Sequence, residues 1–251
     1  MGCARSSTTG FSQLCKQYIS EQSRGGAETL PLSLSIVLPA MTIILDFDGT
    51  LADTRSIIVG TMQQTLRALN LPSRTDAQCA AMIGLPLKET FTRLLDVDDA
   101  MGEKCAAVYT RFFFENNQPG VVPVFPHVVE TLHALHQQGH RLTIASSRSR
   151  ASLEGFLADM HLQTLISYVV SANEVTHAKP HPEPVLKTLE AFGIAAADAI
   201  VVGDTTYDIA MGQRAGCKTV AVTYGNQSRT ELLQQSPDYI IDRFDHLLQL
   251  V

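Results

Sequence analysis

The stretch that decides the fold is TIILDFDGTLADT, residues 42 to 54. Four apolar or β-favouring residues run directly into two carboxylates, Asp46 and Asp48, and then a glycine, Gly49. Carboxylates are costly to hold against an apolar core unless they have a partner. The stretch therefore indicates a buried strand whose end carries two acids that need a chemical reason to be there.

Two simpler interpretations of these acids exist. Asp-Gly is a strong signal for a hairpin turn, and two acids one residue apart also occur in calcium-binding loops. The calcium loop is excluded by spacing, because Gly49 takes the fourth position rather than the sixth, and Ile57 takes the twelfth in place of Glu. Two interpretations of Asp46 and Asp48 remain: a turn, or a catalytic or metal site at the end of the strand. The residues that follow the other predicted strands distinguish between them.

Composition narrows the class of protein. The chain has 251 residues, of which 45% are hydrophobic and 18% charged, as in an ordinary globular protein. Its formal net charge of -6 argues against a nucleic-acid-binding surface, which needs an excess of basic residues. The five cysteines are scattered without a Cys-x-x-Cys pair, which argues against a disulfide framework or a zinc site and favours a reducing compartment. We expect a cytoplasmic protein that associates with no membrane.

Short apolar runs with β-branched residues recur along the chain and suit strands buried on both faces. Helical patterns lie between them, and those at 128–135 and 185–192 are followed by Gly139 and Gly193, which suit helix C termini. Strands that alternate with helices predict an α/β fold with a parallel, doubly wound sheet, whose ligands bind beyond the carboxyl ends of the strands. The predicted strands are 42–45, 141–145, 168–171, 199–202, 218–222 and 238–241.

One segment breaks this alternation. Residues 55–122 contain no strand pattern but several helical ones, and the insertion is far longer than an ordinary connection between strand and helix. We predict that 55–122 form a helical cap that excludes water, and that 41–54 and 123–251 form the catalytic core. Residues 1–40 are predicted to be a disordered extension, because their first part mixes Ser, Thr, Gly and Gln without periodicity.

Polar residues follow the other predicted strands as well. Ser146 and Ser147 come after the second strand, Lys179 lies in the proline-rich loop AKPHPEP, and Asp204 and Asp208 follow the strand that ends in VVG. Each of these alone is commonly a helix cap or a solvated side chain. Together they offer carboxylate oxygens for Mg²⁺, donors for phosphoryl oxygens and a carboxylate nucleophile, which predicts a phosphate-and-magnesium site.

The chain resembles the haloacid dehalogenase superfamily. DFDGTL, Ser146 after a strand, Lys179 in AKPHPEP, and GDTTYD look like its four motifs in order, over about residues 41 to 225. The inserted helices and IGLPLKETF, residues 83–91, resemble the α-helical cap of its phosphoglycolate-phosphatase-like branch. The chain departs from that pattern at Ser147, where relatives often carry Asn, and at His127, where a Gly is usual.

The resemblance implies a role for each motif residue. Asp46 would attack phosphorus and become an aspartyl phosphate, while Asp48 would act as acid and then as base. Ser146 and Lys179 would bind the phosphoryl oxygens, and we expect Ser147 to bind them as well. Mg²⁺ would be held by Asp46, Asp204 and the backbone carbonyl of Asp48, and Asp208 would be either a further metal ligand or an acid that contacts the ligands.

The sequence therefore predicts a Mg²⁺-dependent phosphatase acting on a small phosphorylated metabolite such as phosphoglycolate, as a monomer or homodimer. A sugar-phosphate mutase of the β-phosphoglucomutase type and a pyrophosphatase remain alternatives, because both share the site. A phosphoacceptor signalling module is disfavoured, because a cap over the site suits turnover better than a readable phosphorylated surface. In the cap, Lys88 is a candidate substrate contact. Arg148 is left open between a phosphate contact and an exposed side chain.

Overall fold

The computed structural model describes residues 40–118 and 120–251. Apart from residue 40, the extension predicted for residues 1–40 lies outside the described residues. None of the helices in the described part is long and apolar enough to cross a bilayer.

The core of the fold is a six-stranded sheet in the order β3-β2-β1-β4-β5-β6, with every neighbouring pair parallel. Helices connect the strands, so the predicted α/β fold with a doubly wound parallel sheet is confirmed. The predicted strands agree with the observed ones to within two residues at each end. The strands are β1 Thr42–Leu45, β2 Arg141–Ala145, β3 Ile166–Val170, β4 Ala199–Gly203, β5 Lys218–Val222 and β6 Tyr239–Ile241.

The first strand lies at the centre of this sheet, between β2 and β4. Its side chains point alternately to the two faces: Ile43 and Leu45 pack in the larger apolar cluster, and Ile44 packs in a second cluster on the other side. All three are fully buried. Because the strands are parallel, residues that follow β1, β2 and β4 meet at one edge of the sheet.

Four helices that follow β1 fall in the segment 55–122 predicted to be the cap: α1 Arg55–Ala68, α2 Asp76–Ala80, α3 Leu87–Leu95 and α4 Asp99–Asn116. Among them α4 packs against α1 and α3, and its aromatic ring Phe113 contacts Phe156 of the core with ring centroids 6.2 Å apart. The cap therefore lies over the carboxyl edge of the sheet. The other helices in the described part of the chain are α5 Val128–Gln137, α6 Arg150–Asp159, α7 Glu183–Phe192, α8 Thr206–Arg214 and α9 Arg229–Gln234.

Backbone conformation explains two of the sequence signals. Gly193, predicted to follow a helix, is the C-cap of α7 and has a left-handed conformation with φ of 61°. His127 precedes α5 with φ of 68°. A glycine is the residue that takes a left-handed conformation at least cost, which is the physical reason why glycine suits the position that His127 occupies here.

The glycine that ends β4 is required by close packing. A Cβ added at Gly203 would lie 2.2 Å from the Cβ of Asp208, so one of the two segments would have to move. We expect Gly203→Ala to lower the free energy of unfolding by roughly 1–3 kcal/mol, as overpacking does in a filled core. Urea unfolding of the variant and of the wild-type protein measures this change.

Gly155→Ala is the matched control for this substitution. Gly155 lies within α6, and a Cβ there would meet no atom within 4 Å. The same exchange should therefore stabilise the protein by roughly 0.5–1 kcal/mol, because alanine is the better helix former. Equal effects of the two substitutions would contradict the packing argument.

Candidate active site

Three carboxylates meet at the carboxyl edge of the sheet. Asp46 follows β1, Asp204 follows β4, and Asp208 lies in the first turn of α8. All three are buried, and one oxygen from each lies within 4.8 Å of the others. The fold thus brings together acids that are far apart in the sequence, as the motif order predicted.

Lys179 bridges two of these acids. Its ammonium donates to Oδ1 of Asp46 at 2.5 Å and to Oδ1 of Asp208 at 2.7 Å. Burial alone would lower the pKa of Lys179, but the charges of Asp208 and Asp46 raise the pKa of this ammonium above its ordinary value. Lys179 therefore stays positively charged next to the predicted nucleophile.

Asp208 is held entirely by protein donors. Its Oδ1 accepts from Lys179, and its Oδ2 accepts from the backbone N–H of Thr205 at 3.1 Å and from the Thr205 hydroxyl at 2.6 Å. The bond from the Thr205 N–H is one half of the capping box that begins α8; in the other half the Thr205 hydroxyl oxygen accepts from the backbone N–H of Asp208 at 3.4 Å. The sequence predicted Asp208 either as a metal ligand or as an acid that contacts the ligands, and both roles stay predictions: the residue lies in the acidic group with Asp46 and Asp204, where its oxygens also bind Lys179 and the start of α8.

Asp204 is fixed by a residue that the sequence analysis missed. Oδ2 of Asp204 accepts from the backbone N–H of Asn226 at 2.6 Å and from its side-chain amide at 2.9 Å. Burial, with the charge of Asp208, raises the pKa of Asp204 to about 7. The available signal was the position of Asn226 in TYGNQS, just after β5, because that strand ends at the same edge of the sheet.

The donor set fits Mg²⁺. Three buried carboxylates face a single ammonium, which leaves negative charge that a cation can balance, and hard oxygen ligands are the ones that Mg²⁺ prefers. The backbone carbonyl of Asp48 lies beside them, where it accepts from the Asn226 amide at 3.3 Å. Oδ1 of Asn226 is buried without a hydrogen-bond partner among the described residues. Asp46, Asp204 and this carbonyl are the groups that would hold the ion.

The second acid of the first motif is bound by an arginine. Nε of Arg148 donates to both oxygens of Asp48 at 2.9 and 2.8 Å, and Nη2 donates to Oδ1 at 2.6 Å. The Thr54 hydroxyl donates to the same Oδ1, also at 2.6 Å. Only 9% of the Arg148 side chain is exposed, so the exposed alternative for this residue is wrong.

The two predicted serines lie in different surroundings. Ser146 is buried, and its hydroxyl accepts from the backbone N–H of Arg148 at 3.2 Å. The Ser147 hydroxyl instead donates to the backbone carbonyl of Gly84 in the cap, at 2.7 Å. Ser146 thus lies at the sheet edge as predicted, whereas the side chain of Ser147 joins the core to the cap.

Lys88 does not lie with the other predicted site residues. Its ammonium donates to Asp99 of the cap at 2.6 Å and lies 3.7 Å from Glu103, and 43% of its side chain is exposed. It is absent from the residues that line the cavity under the cap. The structure therefore places Lys88 on the cap surface.

A cavity of about 140 Å³ separates the acids from the cap. Asp46, Asp48, Arg148 and three serines line its core side, whereas the cap contributes mainly apolar and aromatic side chains. The cap residues are Ile58, Met62, Met82, Ile83, Gly84, Leu85, Leu87, Thr90, Tyr109, Thr110, Phe113 and Phe114.

A parallel sheet with an acidic carboxyl edge, a bridging lysine and a helical cap defines a class of capped α/β enzymes. The similarity of this chain to known proteins supports its assignment to that class. The family model described as "Haloacid dehalogenase-like hydrolase" matches residues 43–222. The chain belongs to this hydrolase family.

Relatives and a solved structure agree with this assignment. "Probable phosphatase IndB" of Dickeya dadantii (strain 3937) is 36% identical over 211 residues, covering 82% of this chain and 91% of that protein. "Pyrophosphatase PpaX" of Bacillus mycoides (strain KBAB4) is 32% identical over 210 residues, covering 84% and 96%. A crystal structure described as "a predicted phosphoglycolate phosphatase" from Haemophilus somnus 129PT superposes with a TM-score of 0.77 at 25% identity, covering 84% and 97%.

Proposed function

We propose that the protein is a Mg²⁺-dependent phosphatase that hydrolyses a small phosphate monoester through an aspartyl phosphate on Asp46. The observation that carries this proposal is the bridge from Lys179 to Asp46 and Asp208, next to Asp204, with Asp46 also lining a cavity between the core and the cap. A carboxylate nucleophile, a fixed cation and a set of oxygen ligands for Mg²⁺ are the parts that phosphoryl transfer needs.

In the first step an oxygen of Asp46 forms a bond to phosphorus as the bond from phosphorus to the leaving oxygen breaks. Asp48 gives its proton to that oxygen, and the alcohol leaves. Asp48 then accepts a proton from water, whose oxygen attacks phosphorus and restores the Asp46 carboxylate with release of phosphate. Lys179 reduces the repulsion between Asp46 and the phosphoryl oxygens. Bound Mg²⁺ would supply further positive charge at those oxygens.

A pyrophosphatase is the second candidate, favoured by the relatives of that name that are about as similar to this chain as the phosphatase. The same steps would then release phosphate in place of an alcohol. A sugar-phosphate mutase is disfavoured by the cavity, because its cap side offers few hydrogen-bonding groups to orient a sugar.

The test is a substrate panel assayed after chelation and after addition of Mg²⁺. We expect phosphate release from phosphoglycolate or pyrophosphate to exceed that from hexose phosphates, and to require the added ion. Isomer formation is followed in parallel, with β-glucose 1-phosphate supplied together with its bisphosphate activator. Glucose 6-phosphate appearing faster than phosphate would reject the hydrolase in favour of the mutase.

Asp204→Asn tests the proposed metal ligand in the same assay. The substitution keeps an oxygen acceptor for Asn226 but removes a charge, so we expect the Mg²⁺ concentration for half-maximal activity to rise at least about tenfold. An unchanged Mg²⁺ requirement would show that Asp204 is not a ligand of the ion.

A further inference from the structure

Among the described residues that line the cavity, Arg148 is the one with a positively charged side chain. Its guanidinium lies among three aromatic rings, with its central carbon 4.7 Å from the ring centroid of Phe156, 4.8 Å from that of Phe113 and 5.8 Å from that of Phe47. Attraction to the ring faces needs no hydrogen bond. These rings can therefore keep the guanidinium in place while it changes hydrogen-bond partners.

The guanidinium also has donors to spare. Besides the bonds to Asp48, Nη1 donates to the Ser152 hydroxyl at 2.9 Å. Each of the two terminal nitrogens carries two N–H groups and uses one, so each retains an N–H without an acceptor among the described residues. An anion in the cavity could accept from them.

Tyr109 of the cap offers a neutral donor to the same space. The residue is 5% exposed, lines the cavity, and its hydroxyl makes no hydrogen bond with any described residue. Burial raises the pKa of Tyr109 well above its ordinary value, with Arg148 and Asp48 as the charged groups that act on the hydroxyl. The hydroxyl therefore stays protonated and can donate.

We propose that Arg148 and the Tyr109 hydroxyl form a subsite for a leaving group that carries its own negative charge close to the leaving oxygen. The proposal rests on the phosphatase proposed above. The leaving group would be a short carboxylate, as in phosphoglycolate, or a second phosphate, as in pyrophosphate. A negative charge among the apolar walls of this cavity is costly unless it is paired, and Arg148 is the partner at hand.

The same contact would release Asp48. In the structure both oxygens of Asp48 accept from Arg148, yet one of them has to face the leaving oxygen during the reaction. An anionic leaving group that accepts from the two remaining N–H groups attracts the guanidinium and weakens its bonds to Asp48. A neutral leaving group cannot do so. Selectivity for charge would therefore appear in turnover as well as in binding.

The experiment compares phosphoglycolate with its neutral amide, phosphoglycolamide, which keeps the size and shape of the leaving group. Pyrophosphate is the third substrate, and its leaving group is a phosphate rather than a carboxylate. We expect the wild-type protein to show a kcat/KM for phosphoglycolate at least about tenfold above that for the amide, since hydrogen bonds between charged groups are the strong ones. If the subsite also binds a phosphate, the kcat/KM for pyrophosphate should exceed that for the amide as well.

Two variants assign the advantage to the subsite. Arg148→Gln removes the cation that would pair with the leaving carboxylate, so it should lower the kcat/KM for phosphoglycolate and reduce the ratio of the two kcat/KM values by about tenfold. Tyr109→Phe removes one hydroxyl and should reduce the ratio about threefold, mainly through the KM for phosphoglycolate. Tyr168→Phe is the matched control, because Tyr168 packs on Phe192 away from the cavity, and it should leave the ratio unchanged.

An unchanged ratio in both Arg148→Gln and Tyr109→Phe would overturn the subsite. If both esters still release phosphate in a Mg²⁺-dependent reaction, the proposed function stands and Arg148 merely positions Asp48. If the wild-type protein releases phosphate from none of the compounds, the proposed function fails and the subsite fails with it.

Discussion

Replacing Asp46 with Asn is expected to abolish phosphate release, lowering kcat by at least about 10³-fold, as loss of a nucleophile does in other enzymes. The amide is nearly the same size as the carboxylate but cannot act as an anionic nucleophile. Its oxygen can still accept from Lys179, so the fold should survive. Phosphate release and the thermal melting temperature are the two measurements.

Asp53→Asn controls for the loss of an acid from the same loop. Asp53 is exposed and lies outside the residues that line the catalytic cavity. We expect its activity to stay close to that of the wild-type protein. Activity of Asp46→Asn within tenfold of wild type would remove Asp46 from its proposed role.

Replacing Lys179 with Met should affect both stability and activity. Lys179 is 3% exposed and its ammonium is the partner of two buried carboxylates, which its loss would leave unpaired. Breaking a buried ion pair from one side costs roughly 3–5 kcal/mol of unfolding free energy. Urea unfolding without divalent ions measures this loss, and added Mg²⁺ should restore part of it, because an ion bound only by the folded state stabilises that state. Phosphate release should fall below detection.

Lys88→Met removes the same group from the surface of the cap. Its partner Asp99 is exposed, and exposed ion pairs contribute little because water and salt screen them. We expect no change in melting temperature and none in kcat/KM. If Lys179→Met were as stable as Lys88→Met, the Lys179 bridge would not have the structural importance assigned to it.

The strands could be predicted from the sequence because each is short, apolar and bounded by polar residues. β1, β2 and β5 have the predicted ends. β3 begins at Ile166 rather than at residue 168, because Ile166 pairs with Leu142 before the register shifts. That pairing depends on the neighbouring strand, and a pattern read along a single segment does not contain it.

The location of the acids could also be predicted, because the carboxyl ends of parallel strands lie at one edge of the sheet regardless of the conformation of the loops. Asp46, Lys179 and Asp204 meet there as expected. The sequence thus determined the fold, the order of the motifs and the edge where they meet. These features follow from local patterns and from a topology rule.

The tertiary structure alone decided which side chains pair within that edge. Arg148 binds Asp48, Asn226 holds Asp204, and Ser147 reaches the cap. Lys88 faces Asp99 outside the cavity, although it lies next to Leu87, which lines the cavity. Each pairing joins side chains from separate elements, and its existence depends on the distance and direction between those elements to within about an ångström, the tolerance of a hydrogen bond. Spacing along the chain fixes neither quantity, so these contacts had to be read from the packed structure.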